Sequence, residues 1–356
     1  MNPRTAQPAV GELSSDGTTV WGGHQWEPLL LRQSEVIEAA QRCFGRSVVA
    51  TPAFMTEGLM NQSWRVVSPD GTYVMRVSRP DLRRESVTYE HAVIGQLHQK
   101  VPEVVSALPG SDGETLQAWR GRSLSFFPYI DGILGTDVEE AVRWQQTASM
   151  LARIHRAGTT LGLGQAPGQH AVLDQPTMWS RVRPVLERDL PASAEVGELF
   201  GFFDDEASDL QAWLERLRSS GRQLLRGIVH SDFNSRNLLF RNERLIAVID
   251  WESCHVDVLA YEAALALKAP DPLAFWRTYL DAGGPLTVGD IELLGGFARI
   301  DTLVGLYFTT DGSDRSKPWA IEILRDVAGG VRQLRERISE VGLREAVDGL
   351  RGSGPL

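Results

Sequence analysis

The sequence predicts an α+β protein of two lobes, a small mixed β/α lobe followed by a larger, mainly helical one. Three observations carry that expectation. Between residues 48 and 129 the signals run β-β-β-α-β-β. From residue 138 onward the apolar spacing is largely helical. Late in the chain, two short apolar strands bracket a polar loop that carries His, Asp and Asn. At 356 residues the chain has room for two domains or one large two-lobed one.

Residues 1–30 are rich in Gly, Pro, Ser, Thr and Gln and read as an extension, poorly ordered or lying as a strap on the surface. Residues 31–129 form the first lobe. Ser34 is placed to cap a helix over 35–44 that turns Val36, Ile37, Ala40 and Phe44 inward, and Gly45 ends it. A strand follows over 48–54. Two more, over 63–67 and 72–77, are joined by the turn Ser68-Pro69-Asp70-Gly71. Val87, Val93, Ile94 and Leu97 recur at helical spacing within 85–99, and Val101-Pro102 stops that helix. Strands over 114–119 and 123–129 complete the lobe. Asp131-Gly132 opens the second lobe, residues 130–350. It has a helix over 138–157, a Gly/Pro/Gln-rich loop to 176, and helices at 178–189, 194–217, 257–268, after 272, after 287 and at 318–341. Its strands are expected at 227–230 and 245–250.

Composition removes several classes. A net charge of −10 argues against a general nucleic-acid binder, which needs a basic surface. Two distant cysteines, Cys43 and Cys254, make neither a disulfide framework nor a zinc site and suit a reducing cytoplasm. No signal-peptide pattern and no long apolar run is present, so neither membrane nor nucleic acid is expected as a partner. Monomer and dimer stay open.

The most informative stretch is Ile228-Val229-His230-Ser231-Asp232-Phe233-Asn234-Ser235-Arg236-Asn237-Leu238-Leu239-Phe240. An apolar strand delivers His230 and Asp232 to its end, and Asn237 follows before a strand resumes. Val248-Ile249-Asp250-Trp251-Glu252 repeats the theme of a buried strand ending in a carboxylate. An Asp, an Asn and a second Asp on adjacent strand ends would make a compact oxygen-rich site, suited to a hard cation such as Mg²⁺.

This constellation resembles the catalytic loop of the aminoglycoside phosphotransferase and choline kinase family, the small-molecule branch of the protein-kinase-like superfamily. That loop reads His-x-Asp-x-x-x-x-Asn, and a metal-binding Asp follows about a dozen residues later, often as Ile-Asp-Trp. The resemblance covers about residues 50–310 and implies a bilobal protein-kinase-like fold. It implies that Asp232 accepts or orients the proton of a substrate hydroxyl, while Asn237 and Asp250 hold the Mg²⁺ that bridges the nucleotide phosphates. His230 reads as a structural residue bonding backbone around the loop. Glu252 reads either as a contact to a second metal or as a solvated strand-end residue.

The segment Thr56 to Val66 resembles the family's nucleotide-positioning loop, with Gly58 and Asn61 as its candidate residues. Val74-Met75-Arg76-Val77 occupies the strand where the family places a phosphate-contacting Lys. Here Arg76 stands instead, always charged and able to grip phosphate bidentately, but longer and planar. Glu90 is its expected partner, with Glu85 as the alternative. Phe126 to Gly132 resembles the adenine-reading hinge, with backbone near Phe127 and Tyr129 as the contacts. Leu151-Ala152-Arg153-Ile154-His155 fits a helix pattern of the family, with His155 read as packed and satisfied.

The resemblance implies an ATP- and Mg²⁺-dependent phosphotransferase acting on a hydroxyl of a small molecule, with GTP still open as donor. No Gly-x-Gly-x-x-Gly, Asp-Phe-Gly or Ala-Pro-Glu segment is present, which argues against a protein kinase. Asp204, Asp205 and Asp301, with Asp311 and Asp314, are candidates to hold ammonium groups of an aminoglycoside-type or other antibiotic. A solvated acidic face explains them equally well. Homoserine, choline and sugars remain alternative acceptors, and Trp179, Trp213 and Trp276 read either as a pocket lining or as core. Two readings of other classes stand beside these: a nucleotide-binding pseudokinase or regulatory module, suggested by Arg76, and a metal-dependent phosphate-ester hydrolase.

Overall fold

A computed structural model of the chain describes residues 18–21, 25–28, 30–55, 61–79, 82–174, 177–309 and 318–340. In chain order these form β1 (Thr18–Trp21), β2 (Gln25–Pro28), α1 (Gln33–Phe44), β3 (Ala53–Met55), β4 (Gln62–Ser68), β5 (Gly71–Val77) and α2 (Arg84–His98). Next come β6 (Leu116–Trp119), β7 (Arg122–Pro128), β8 (Ile133–Leu134), α3 (Glu140–Gly158), α4 (Met178–Asp189) and α5 (Ala194–Ser219). The chain continues through β9 (Arg226–Val229), β10 (Leu238–Arg241), β11 (Arg244–Val248), β12 (His255–Val258), α6 (Leu259–Ala263), α7 (Pro272–Asp281), α8 (Ile291–Val304) and α9 (Pro318–Glu340). Among the described residues, no helix is long and apolar enough to cross a membrane.

The chain divides into two compact units. The first runs to Val138 and takes in Ala166–Gly168 and Asn234–Cys254. Its main sheet has the antiparallel order β3-β4-β5-β7-β6. Period-2 alternation buries Trp64 and Val66 on β4, and Tyr73 and Met75 on β5, and α1 packs Val36, Ala39, Ala40 and Phe44 into the same apolar cluster. Phe44 stacks on Phe126 at 4.6 Å between ring centroids. A second, three-stranded sheet has the order β11-β10-β8. The tip of β11 is pinned from outside, because Val248 N donates to Glu103 O (2.7 Å) and Val105 N donates to Val248 O (3.2 Å). The hairpin β1–β2 lies within the stretch read as an extension.

The second unit comprises Glu139–Gln165, Gln169–Phe233 and the chain from His255 onward. Its strands β9 and β12 pair antiparallel. Helices α4, α5, α8 and α9 share a core around Trp179, Phe203, Leu210 and Leu324.

Several local expectations need correction. The cap of α1 is Arg32, whose N–H donates to the Glu35 carboxylate at 2.9 Å, so Ser34 lies inside the helix. Gly45 does end α1, in the left-handed region at φ 62°. Ile37 is exposed, and Cys43 takes its place on the buried face. The strand expected over 48–54 is confined to Ala53–Met55, because Pro52 has no N–H to give a ladder. The helix expected over 257–268 begins as β12, where the β-branched Val256 and Val258 pair with β9, and only then turns helical. Its far end tightens into a 3-10 turn over Ala264–Lys268.

Candidate active site

Arg76 sits near the end of β5, opposite Ser125 of β7. Its guanidinium meets Glu90 of α2 end-on, Nη1 donating to Oε1 at 2.7 Å and Nη2 to Oε2 at 2.6 Å. Both residues are buried, at 7 % and 2 % exposure, so this is no surface ion pair screened by water. The Phe127 ring covers the guanidinium at 5.1 Å. Arg76 Nε is buried with no hydrogen-bond partner among the described residues. Burial disfavours the charge of Arg76. The Glu90 carboxylate, its hydrogen bonds, and the charges of Glu252 and Asp250 outweigh burial and hold its pKa above the ordinary value. Arg76, Glu252 and Asp250 therefore share one electrostatic neighbourhood.

Asn61 is a second member of this group. It is buried, and its Nδ2 donates to Glu252 Oε2 at 2.5 Å, bridging 191 residues of sequence. Its Oδ1 accepts from Arg79 N at 3.3 Å. Burial first, and then the charge of Asp250, push the Glu252 carboxyl up to about 7 against the opposing pull of Arg76 and Asn61. Glu252 is thus a half-buried, hydrogen-bonded group, which answers against the solvated alternative.

Asn237 and Asp250 are brought to the same end of the β10–β11 hairpin. Leu238 pairs with Val248, and Ile249 N donates to Asn237 O at 3.0 Å. Asn237 closes a 3-10 turn, Ser235–Asn237, that Asn234 caps by accepting from Arg236 N at 2.9 Å. Asn237 is buried and Asp250 exposed. Asp250 holds a left-handed backbone, φ 65°. That conformation is uncommon for a non-glycine residue and tends to collect at functional turns. Trp251 is buried behind it and donates Nε1–H to Val248 O at 3.2 Å.

Asp232 follows β9 in the second unit and is exposed. Its N–H donates to His230 Nδ1 at 3.2 Å, so the buried His230 braces the loop backbone. Ser231 between them has φ 67°. The expected adjacency of strand ends needs correction. β9 pairs with β12, whereas Asn237 and Asp250 flank a hairpin that pairs with β8. Left-handed Ser231 and the 3-10 turn redirect the chain, so β10 does not return beside β9.

The other candidates are placed as follows. Gly58 lies outside the described residues, as do Asp311 and Asp314. Phe127 and Tyr129 are half-buried, and the Tyr129 N–H is taken by Thr72 O at 3.0 Å. Asp204 accepts from Trp179 Nε1 at 2.8 Å and Arg183 Nε at 2.9 Å. Asp301 accepts from Lys268 Nζ at 2.6 Å. Asp205 is exposed on α5. Trp179 and Trp276 are core residues, and Trp213 is half-buried against Phe297.

Sequence reasoning missed the Asn61–Glu252 link and the place of Glu262. A partner 191 residues away leaves no local signal. Glu262 did have one, a lone carboxylate inside the apolar run Leu259-Ala260-Tyr261-Glu262-Ala263-Ala264-Leu265.

The donor set fits a hard divalent ion. Asn237 and Asp250 offer amide and carboxylate oxygens, and among the described residues no group of three or more His, Cys, Asp or Glu side chains forms a closed metal cage. An ion of the Mg²⁺ class needs only one or two protein carboxylates when phosphates and water complete its shell. The buried, unpartnered Arg76 Nε fits an anionic oxygen approaching the same neighbourhood.

Known proteins similar to this chain are kinases and phosphotransferases of small molecules. The chain is 23 % identical over 216 residues to a homoserine kinase of Beijerinckia indica subsp. indica, which covers 60 % of this chain and 63 % of that protein. It is 22 % identical over 249 residues to a homoserine kinase of Rhizobium meliloti, covering 70 % of each. Among solved structures, a spectinomycin phosphotransferase in complex with ADP and spectinomycin matches with a TM-score of 0.63 and 15 % identity, over 86 % of this chain and 100 % of that one. A microcompartment-associated aminopropanol kinase matches with a TM-score of 0.62 and 17 % identity, over 86 % and 98 %. These neighbours share the α+β, kinase-like fold expected from the sequence. A model of the phosphotransferase enzyme family matches residues 53–293, and the chain belongs to that family.

Proposed function

We propose that this chain transfers the γ-phosphoryl group of ATP to a hydroxyl of a small amino alcohol or hydroxy amino acid, homoserine being the type case. The observation that carries the reading is the grouping within one unit of the buried Arg76–Glu90 pair, the Asn61–Glu252 link and Asp250. Such a grouping gives phosphate a fixed cation and oxygen donors around it.

In this reading Arg76 is held rigid by Glu90 and offers its unpartnered Nε–H to a phosphate oxygen. Glu90 thereby acts through Arg76. Backbone near Phe127 and Tyr129 borders the adenine. Asn237 and Asp250 would hold a divalent cation, which when bound would neutralise negative charge on the phosphates. Asp232 accepts the proton of the acceptor hydroxyl as its oxygen forms the new bond to the γ-phosphorus. The bond from that phosphorus to the bridging oxygen breaks, and ADP carries away the electron pair. Phosphoryl transfer asks mainly for positioning, and a positioned base adds about 10²–10⁴-fold.

The acceptor class rests on two further observations. Asp204 and Asp301 are engaged in ion pairs with Arg183 and Lys268, so neither offers an unopposed charge to a polycation. The homoserine kinases named above act, by their names, on a small acceptor.

The test is acceptor-dependent ADP formation by the purified chain with Mg²⁺ and ATP or GTP. The panel should hold homoserine, amino alcohols, choline, sugars and aminoglycosides. Turnover is expected with the small amino alcohols or homoserine and with ATP. Turnover confined to aminoglycosides would overturn the acceptor class. Tight nucleotide binding with no product on any acceptor would favour a regulatory module, and nucleotide-free hydrolysis of phosphate esters would favour a hydrolase.

A further inference from the structure

Helix α2 turns two polar side chains inward where an amphipathic helix would carry apolar ones. Val87, Ile94 and Leu97 mark its buried stripe, and Glu90 and His91 fill the turn between Val87 and Ile94, both buried. Buried polar groups need partners. Glu90 is engaged by Arg76. His91 has partners of its own, and the proposed reaction makes no use of them. Its Nδ1 lies 2.8 Å from the Thr115 hydroxyl, and its Nε2 lies 3.1 Å from the Ser125 hydroxyl. Burial pulls its pKa down to about 4, with Glu90 opposing and Arg76 adding to the fall, so the ring is neutral at neutral pH. One ring nitrogen then donates and the other accepts, and a hydroxyl can meet either role.

Both hydroxyls belong to the strands around Arg76. Ser125 of β7 is fully buried and stands opposite Arg76 of β5 on one side and Leu116 of β6 on the other. Thr115 is the residue before β6. One imidazole therefore ties α2 to two neighbouring strands at the row that holds Arg76. The same ring meets Phe127 edge-on, 6.0 Å between centroids, and the face of Phe127 covers the Arg76 guanidinium. All of these residues lie in the first unit. Apolar burial along α2 is non-directional and lets a helix shift, whereas hydrogen bonds fix distance and angle. A further bond from α2 to these strands, Arg84 Nη2 to Leu116 O, is long at 3.4 Å and sits at the start of the helix.

We propose that His91 is a positioning residue for the nucleotide: by tying α2 to β7 and to the chain entering β6, it fixes Glu90 and Phe127 against Arg76 and so aims the Arg76 Nε–H at a phosphate oxygen. This rests on the reading of Arg76 as the phosphate-holding cation. A neutral ring suits the role, because a second cation beside Arg76 would repel it and compete for Glu90.

The test measures ATP binding by titration calorimetry, steady-state kinetics with ATP, Mg²⁺ and the best acceptor, and thermal unfolding, on the full chain. His91→Leu removes both hydrogen bonds and keeps an apolar filling. It is expected to raise the Kd and KM for ATP about tenfold, as when one hydrogen bond to phosphate is misaligned. The kcat and the acceptor KM should change less than about threefold, the pattern of lost binding rather than lost chemistry. His91→Gln keeps an amide that both donates and accepts, and should bring ATP affinity back to within about threefold of the parent. Ser125→Ala cuts only the link opposite Arg76 and should weaken ATP by a smaller factor, at least about twofold. A purely structural histidine would lower the melting temperature of His91→Leu and leave ATP affinity unmoved. An ATP Kd within about twofold of the parent in folded His91→Leu, a loss confined to kcat, or His91→Gln binding no better than His91→Leu overturns the inference. If His91→Leu fails to fold, Ser125→Ala decides: an ATP Kd equal to the parent's overturns it. Arg76→Met combined with Glu90→Leu separates the two levels. ATP binding at parental strength in that double variant sinks the reading of Arg76, whereas its failure to bind beside a His91→Leu that binds normally sinks only the role of His91.

Discussion

Replacing Arg76 by Lys tests whether this chain has built its phosphate site around a guanidinium. The pair with Glu90 uses two nitrogens on two oxygens, at 2.7 and 2.6 Å, under the face of Phe127. A lysine ammonium is a single point on a flexible stem and cannot reproduce the fork. At least one charge-assisted hydrogen bond is lost, at a cost of about 1.5–3 kcal/mol. Exposures of 7 % and 2 % leave little water to compensate. For a unit of this size, at about 2–4 °C per kcal/mol, the midpoint of thermal unfolding should fall by about 3–12 °C. Nucleotide affinity should fall as well, because Glu90 no longer orients the cation. A second variant separates stability from binding. Arg76→Met combined with Glu90→Leu removes both charges, and apolar replacement of a whole buried pair is often neutral or stabilising. That double variant should unfold close to the parent temperature yet fail to bind ATP in titration calorimetry. The reasoning is refuted if Arg76→Lys melts within about 1 °C of the parent and binds ATP equally well.

Other consequences follow from the same geometry. His91 is buried, its ring nitrogens on Thr115 and Ser125, and burial first, then Arg76, pull its pKa to about 4 from 6.5 against the effect of Glu90. A depressed folded value means that His91 contributes stability fully above pH 6.5 and loses it as pH falls towards 4. His91→Gln should flatten the acid limb of a melting-temperature profile in that window, by up to about 3 kcal/mol at 1.36 kcal/mol per pKa unit. A β-carbon on Gly135 would stand 2.7 Å from Ser235 O. Gly135→Ala should therefore displace the turn that carries Asn237, cost about 1–3 kcal/mol in urea unfolding, and lower turnover. Asp250→Asn should abolish the extra thermal stabilisation that Mg²⁺ confers in the presence of ADP. An undiminished Mg²⁺ increment in that variant would place the ion elsewhere.

What the sequence made legible was mostly local. The Ser68-Pro69-Asp70-Gly71 turn between alternating strands specified the β4–β5 register, and the helical spacing of Val87, Val93, Ile94 and Leu97 specified α2. The Arg76–Glu90 pair was legible too, because a strand and the helix after it offer few partners. Other features were hidden for physical reasons. The run from Asp257 to Lys268 has helical periodicity, but pairing with β9 competes for its first residues and wins. Pro52, which has no N–H to give a ladder, stands just before the short strand Ala53–Met55, and the apolar Val48 and Val49 lie outside it. Asn61–Glu252 and Ser231–Glu262 are contacts between distant segments, and periodicity records no such thing. Within the candidate site, side-chain types were readable from sequence. The left-handed backbone at Ser231 and Asp250 was not, since neither residue is the glycine that usually marks such a position.

The most direct measurement is the single-turnover rate of phosphoryl transfer from ATP to the best acceptor, for the parent chain and for Asp232→Asn at saturating Mg²⁺. The account predicts a fall of about 10²–10⁴-fold in that rate constant, with ATP dissociation unchanged. A rate within a few-fold of the parent would show that Asp232 does not receive the proton, and the proposed chemistry would have to be abandoned.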